Sequence, residues 1–191
     1  MTQTKLRFSS FEEYLSYSEE TENFYELYNG ELIELPPESG KNVGIANFLF
    51  FQFALIIGHL RVRGQGLELE VRGEPRNRYP DLTIIRTEHI QQIERRNTIR
   101  LTMLPPLLVV EVVSLGELQH DRDYVAKRNQ YEERGIPEYW LVDPETESIT
   151  VLALSNQAYH EVGYFQKSEL ITSPLFPNLN LTAQMILNAG K

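Results

Sequence analysis

The hydrophobic pattern is densest between residues 107 and 113, where six apolar residues surround a single acid, Glu111. A short, nearly continuous run of leucine and β-branched residues is typical of a strand that is buried on both faces. A carboxylate is costly to bury unless a cationic group meets it. The hydrophobic pattern therefore indicates Glu111 as the first candidate for a functional residue.

A polar segment with helical spacing follows this strand. Its conspicuous side chains recur at steps of three and four and so share one helix face, namely His120, Asp123, Tyr124, Lys127, Gln130, Tyr131 and Arg134. Such a helix could carry Lys127 back over the end of the strand. The residues alone leave other interpretations open. Lys127 could pair with Asp123 on an exposed surface, and the two tyrosines fit packing on a sheet. Gln130 could contact the scissile region, but its pattern favours a solvated amide.

Elsewhere the pattern alternates between strand-like and helix-like stretches. It predicts a helix from Phe11, a hairpin at Asn29-Gly30, a core helix at about 42–59, strands at 67–72, 82–85, 138–142, 148–154 and 158–165, and a last helix capped by Thr182. Asp81 follows Pro80 at the start of the 82–85 strand, where proline is tolerated. The length of 191 residues fits one α/β domain over residues 1–191.

Composition and charge narrow the function classes. Hydrophobic residues make up 41% of the chain and no cysteine is present, which excludes a disordered chain, disulfides and thiolate metal sites and fits the cytoplasm. The N-terminus lacks the layout of a signal peptide, and the apolar stretch 48–60 is too short to span a bilayer, so no membrane partner is expected. The net charge of −9 argues against bulk attraction to nucleic acid.

The positive charges are concentrated in one segment, so the negative net charge does not exclude a local contact with nucleic acid. Residues 61–100 hold nine of the eighteen cations against six acids, a local balance of +3. Any contact with DNA phosphates should therefore concentrate in this segment, and the candidate DNA-binding residues are Arg72, Arg76, Arg78, Arg95 and Arg96.

Asp81 and Glu111 are the two acids best placed for metal chemistry. Carboxylates on neighbouring strands can hold Mg²⁺, which takes few protein ligands and keeps positions for water and a phosphate oxygen. A nearby lysine would orient that water and stabilise developing charge. The pair of acids alone is a weak signal, because a Pro-Asp dipeptide is common.

Several motifs in order resemble the Uma-type family of restriction-endonuclease-like proteins. PDLTII, LLVVEVVS, DRDYVAKRNQY and GIPEYWLVDPE carry the resemblance, and FEEYL, YELYNGELIE and SPLFPNLNLT resemble the flanking signatures. The similarity covers nearly the whole chain. It implies the PD-(D/E)XK superfamily, with a restriction-endonuclease-like fold of a central mixed sheet flanked by helices, a divalent metal site for Mg²⁺ or Mn²⁺, and DNA as substrate.

The resemblance also assigns roles to residues. Asp81 matches the aspartate of the PD element and Glu111 the acid of the (D/E)XK element, whereas Val113 stands where the motif lysine is usual. This subfamily is thought to supply the lysine from the following helix, which Lys127 fits. Val112 would add its backbone carbonyl to the metal. Glu26 matches an acidic position that would assist the metal, although its place in the hairpin also fits a solvated strand face.

The chain also departs from the family pattern. Asn42 replaces a frequent histidine, which puts any role for that position in doubt, and Leu115 replaces a proline, which concerns loop geometry.

The sequence thus predicts a metal-dependent endonuclease that hydrolyses DNA phosphodiester bonds. The alternative is a catalytically silent nuclease fold that binds DNA or protein, and a third possibility is a metal-dependent hydrolase of a smaller phosphate. Cutting both strands of a duplex with one site per chain usually needs two chains, so a homodimer is expected.

Overall fold

The computed structural model describes residues 7–18, 23–114 and 122–190. Its helices are α1 (Phe11–Ser18), α2 (Gly40–Ile57), α3 (His89–Gln92), α4 (Arg128–Arg134) and α5 (Ala183–Asn188). A 3₁₀ turn follows α2 at His59–Arg61, and a π-helical segment, Arg122–Lys127, leads directly into α4. The strands are β1 (Tyr25–Tyr28), β2 (Glu31–Glu34), β3 (Val62–Arg63), β4 (Glu68–Glu70), β5 (Asn77–Arg78), β6 (Leu82–Ile84), β7 (Thr98–Ile99), β8 (Leu108–Val112), β9 (Glu138–Asp143), β10 (Ser148–Ser155) and β11 (Ala158–Gln166).

A six-stranded mixed sheet forms the centre of the fold, in the order β11-β10-β9-β8-β6-β3. The pair β8–β9 is parallel and the other neighbours are antiparallel. A parallel pair needs a crossover connection, and α4 supplies it between β8 and β9. The predicted mixed sheet flanked by helices is confirmed, and the strand that contains Glu111 lies in its interior.

Strand β8 is buried on both faces, as its sequence predicts. Leu108, Val110 and Val112 belong to a core with residues of α2 and α5. Val109 belongs to a second core on the opposite face, together with Tyr131 of α4. Because side chains alternate along a strand, Glu111 projects on the α4 side.

Helix α2 contributes to the core, as predicted, but buries only one of its sides although its sequence is apolar on most sides. Ser39 caps its first turn by accepting a hydrogen bond from the backbone N–H of Asn42. Phe51, Leu55 and Ile56 are exposed because the helix lies on the outside of the sheet. Within the described ranges α2 is the helix that is long and apolar enough to cross a membrane, by length and composition only.

The predicted hairpin is confirmed, with β1 and β2 antiparallel and positive φ at both Asn29 and Gly30. A three-stranded sheet in the order β5-β4-β7 lies beside the main sheet. Its central strand carries Glu68 and Glu70, and both are buried. The hairpin supplies part of the wall of the candidate site, through Glu26 and Glu34.

Candidate active site

The strand register brings the two predicted acids together. Strands β6 and β8 pair antiparallel, with Leu82 opposite Val110 and Thr83 opposite Val109. Continuing this register by one residue sets Asp81 opposite Glu111. Residues that lie directly opposite on one face have neighbouring side chains. The backbone N–H of Val112 donates to Oδ2 of Asp81 at 2.7 Å, which ties the end of β8 to this acid.

Asp81 is an almost fully buried carboxyl group with donors on both oxygens. Besides Val112, Nε2 of Gln65 donates to its Oδ1 at 3.1 Å. Burial raises the pKa of Asp81 above its ordinary value, and the charge on Glu38 adds to the rise, whereas Lys127 and the two hydrogen bonds oppose it. Burial is the largest of these effects, so the ionised form of Asp81 is destabilised. A nearby cation would stabilise the negative charge.

Glu111 has a donor on each carboxylate oxygen. Nζ of Lys127 lies 2.6 Å from Oε2, with both side chains buried, and the hydroxyl of Tyr131 donates to Oε1. Burial and the adjacent Glu111 raise the pKa of Tyr131 well above its ordinary value, so its hydroxyl remains a donor. The helix therefore meets the buried acid of β8 with one cationic and one neutral donor.

Helical spacing explains how both donors reach one acid. Lys127 ends the π-helical segment, and Tyr131 lies four residues further along, on the same face. Gln130 and Arg134, on the same side, are also buried. The position two residues beyond Glu111 holds Val113, which is buried in the core on the α4 side. The structure thus places the lysine near the acid from the helix rather than from the strand, as the resemblance implied.

A pocket of about 560 Å³ opens over these residues. Asp81, Glu111 and Lys127 line it, but Tyr131 does not. Lys127 therefore meets Glu111 from the pocket side and Tyr131 from the core side. The remaining lining residues are Asn23, Phe24, Glu26, Glu34, Leu35, Pro36, Pro37, Glu38, Gln65, Gly66, Tyr79, Val112 and Ser114.

Glu26 lines the same pocket but is held from behind by a buried arginine. Nη1 of Arg78 lies 3.0 Å from Oε1 of Glu26, and Nε of Arg78 donates to Oε1 of Gln130 at 2.7 Å. Gln130 in turn donates to the backbone carbonyls of Arg72 and Pro75. This chain links the hairpin to α4. Gln130 is therefore a buried bridging group and not the solvated amide that the sequence favoured.

Asn42, at the position where the family often has histidine, lies at the far end of the site. Its Nδ2 donates to Oε1 of Glu38 at 2.9 Å and approaches the carbonyl oxygen of Val112 at 3.4 Å. The Val112 carbonyl, a predicted metal ligand, thus already has one weak partner. Sequence reasoning missed Glu38 and Gln65, and it gave Tyr131 a packing role without its hydrogen bond to Glu111. Only Tyr131 had a signal, since it follows Lys127 by one helical turn.

The donor set of the pocket suits a hard divalent cation. Asp81 and Glu111 offer carboxylate oxygens, and the Glu26 carboxylate and Val112 carbonyl are the same type of ligand. Within the described part of the chain no cluster of three or more His, Cys, Asp or Glu side chains could hold a metal ion. Mg²⁺ keeps several waters and uses one or two carboxylates, so this sparse set fits Mg²⁺ or Mn²⁺.

The predicted DNA-binding arginines do not form one surface. Arg72, Arg76 and Arg95 are exposed, the second of them 3.5 Å from Glu74. Arg96 is half-buried and holds the Glu68 carboxylate and the carbonyl oxygen of Leu15. Arg78 is 1% exposed, in the pair with Glu26. Its assignment as a surface phosphate contact is wrong, because burial and the ion pair remove it from solvent.

Residues 11–184 match the family model Uma2, which is described as "Putative restriction endonuclease". Among solved structures, the chain is similar to a "putative nuclease belonging to DUF820" from Anabaena variabilis, with a TM-score of 0.66. The identity is 18%, and the similarity covers 94% of this chain and 98% of that chain. At this identity the structural likeness concerns the fold alone. No curated protein matches the chain.

Proposed function

The chain belongs to the Uma2 family, and on this premise we propose that it is a divalent-metal-dependent endonuclease that hydrolyses DNA phosphodiester bonds. One observation carries the proposal: Asp81, Glu111 and Lys127, from two strands and a helix, line a single pocket. The lysine is held by the acid at 2.6 Å although its usual strand position is occupied by valine. Burying a lysine–carboxylate pair costs desolvation free energy that the attraction between the charges offsets poorly. The pair in this pocket is therefore better explained by a functional role than by stability.

Each residue has a definite task in this proposal. Asp81 and Glu111 would hold the cation, with the Val112 carbonyl as a further ligand, whereas Glu26 is paired with Arg78 and would assist only from the edge of the site. A divalent cation supplies Lewis-acid activation of water and neutralisation of charge on the phosphate. Lys127 orients the attacking water and stabilises negative charge that develops on the phosphate oxygens. Tyr131 holds Glu111 from the core side, which fixes the carboxylate while Lys127 acts.

A catalytically silent nuclease fold that binds DNA or protein is the second candidate. The net charge of −9 and the acidic lining of the pocket favour its protein-binding form, because both disfavour contact with a polyanion in the absence of metal. The two candidates differ in one measurable property. That property is DNA cleavage that depends on metal and on Lys127: the enzyme shows it and the silent fold does not.

The first experiment measures thermal stability and plasmid nicking in parallel with added Mg²⁺ or Mn²⁺. Metal should raise the melting temperature of the wild type, since a ligand that binds only the folded state stabilises it. Asp81→Asn and Glu111→Gln should lose this rise and the nicking. Asp143→Asn is the matched control, because Asp143 is also buried and sits on the neighbouring strand but does not line the pocket. A wild-type response to metal in both site variants would refute the proposed site.

A further inference from the structure

We propose that Phe24 is a stacking shelf for an unpaired nucleobase next to the scissile phosphate, so that the substrate strand enters the site single-stranded or locally unpaired. This inference rests on the proposed function and specifies its substrate class. Phe24 is an aromatic residue to which the catalytic proposal gives no role. Phe24 is 48% exposed and lines the same pocket as Asp81, Glu111 and Lys127.

Two contacts hold Phe24 in place, one to its ring and one to its backbone. It packs on the ring of Tyr79, with centroids 5.0 Å apart. The hydroxyl of Tyr79 is itself fixed, since it lies 3.1 Å from the hydroxyl of Tyr14 and 3.2 Å from the Glu68 carboxylate. The backbone carbonyl of Phe24 accepts a hydrogen bond from Leu35 at 3.0 Å. The two rings therefore form a rigid platform with one side toward solvent.

Gly66 leaves room for this platform. A Cβ at Gly66 would lie 3.4 Å from Cζ of Phe24, and the φ of +102° is one that side chains rarely adopt. Leu35, Pro36 and Pro37 add apolar surface to the same pocket. The lining of the pocket therefore combines aromatic and apolar residues with charged ones, which suits a nucleotide with its flat base and its charged phosphate.

Stacking distinguishes an unpaired base from a paired one. In a duplex the bases present their edges in the grooves, and their faces are covered by their neighbours. An aromatic side chain can therefore stack only on a base that has left the helix or belongs to a single strand. Since 560 Å³ is the size of a small-ligand pocket, it suits one nucleotide rather than a duplex.

The charge of the pocket gives an independent reason for a stacking contact. Its lining contains the acids Glu26, Glu34, Glu38, Asp81 and Glu111 but one lysine, Lys127. A binding site for the phosphate backbone alone would be basic, because that contact depends on neutralising phosphates. Affinity for a strand at this position must therefore come largely from contacts other than charge, and base stacking is sequence-tolerant and suited to this.

The test is binding of a short single-stranded oligodeoxynucleotide that carries 2-aminopurine, with Ca²⁺ in place of Mg²⁺, because Ca²⁺ also takes oxygen ligands but lacks the strict octahedral geometry of Mg²⁺ and should slow cleavage. Phe24→Ala should weaken binding by roughly 5- to 100-fold and abolish the quenching of 2-aminopurine, whereas Phe24→Trp should preserve both. Tyr28→Ala is the matched control. Tyr28 is an exposed aromatic residue on the same hairpin, 47% exposed, but it does not line the pocket.

Three outcomes would overturn the inference. Equal losses in Phe24→Ala and Tyr28→Ala would make Phe24 an ordinary surface residue. Equal binding of duplex and single strand by the wild type would remove the unpaired base. Competition by thymidine monophosphate as strong as by the oligonucleotide would assign the shelf to a free nucleotide instead of a strand. Cleavage that still requires Asp81 would leave the proposed function standing in each of these cases.

Discussion

Replacing Lys127 by methionine separates the chemical role of this residue from its structural role. Methionine keeps most of the apolar stem and removes the ammonium group. Glu111, 1% exposed, then retains the Tyr131 hydroxyl but loses its cationic partner. Removing one member of a buried ion pair costs about 3–5 kcal/mol. The lower end applies here because one donor remains, and for a chain of this length it lowers the melting temperature by roughly 6–12 °C.

The effect on metal binding should have the opposite sign. In Lys127→Met, a divalent cation can approach Glu111 without meeting the ammonium group that now contacts Oε2. Mn²⁺ should therefore raise the melting temperature of the variant at least as much as that of the wild type. Cleavage should nevertheless fall by about two to three orders of magnitude, the usual loss for one preorganised charge near a transition state.

The assay is plasmid nicking under saturating Mn²⁺, at a temperature where both proteins are folded. Lys41→Met controls for the loss of a positive charge, since Lys41 is exposed and does not line the catalytic pocket. The double change Val113→Lys with Lys127→Met moves the ammonium to the strand face of Glu111 and should restore part of the rate. Full activity in Lys127→Met would refute the reasoning and leave the lysine as a structural partner of Glu111.

The part of the site that the sequence predicts is the part set by local patterns. The apolar run around Glu111 predicts a doubly buried strand, and Pro80-Asp81 predicts the start of its neighbour. Once the two strands pair antiparallel, their register brings the acids face to face. The helical segment that follows, π-helical up to Lys127, then brings this lysine to the same place. The strand and helix assignments depend on residues that lie close together in sequence, whereas the contact between Asp81 and Val112 spans 31 residues.

The buried polar network could not be predicted, because its partners are distant in sequence. Arg78 looked like a surface cation, yet its partners Glu26 and Gln130 each lie 52 residues away. An arginine can be buried only where an acid or another acceptor binds its guanidinium group. Sequence periodicity does not show which distant residue supplies that acceptor. The stacking of Phe24 on Tyr79 could not be predicted for the same reason, because the two residues are distant in sequence.

Three further predictions concern surfaces and pH. Replacing the exposed Arg72 and Arg95 by alanine should flatten the salt dependence of DNA binding by up to about two units, whereas an unchanged slope would assign them to solubility. Light scattering at micromolar concentration should give the mass of a homodimer with or without DNA, and a monomer in both would exclude it. The last concerns Glu138, fully buried with donors from Trp140, Ser173 and Leu175. Burial raises its pKa above the ordinary value despite these donors, so the folded protein binds this proton more tightly than the unfolded chain. Its contribution to stability is therefore complete below the unfolded pKa and is lost as the pH rises through the folded pKa. Glu138→Gln cannot ionise, so urea unfolding from acidic to neutral pH should show a smaller loss of stability than in wild type, and an identical loss would show that Glu138 is not the group responsible.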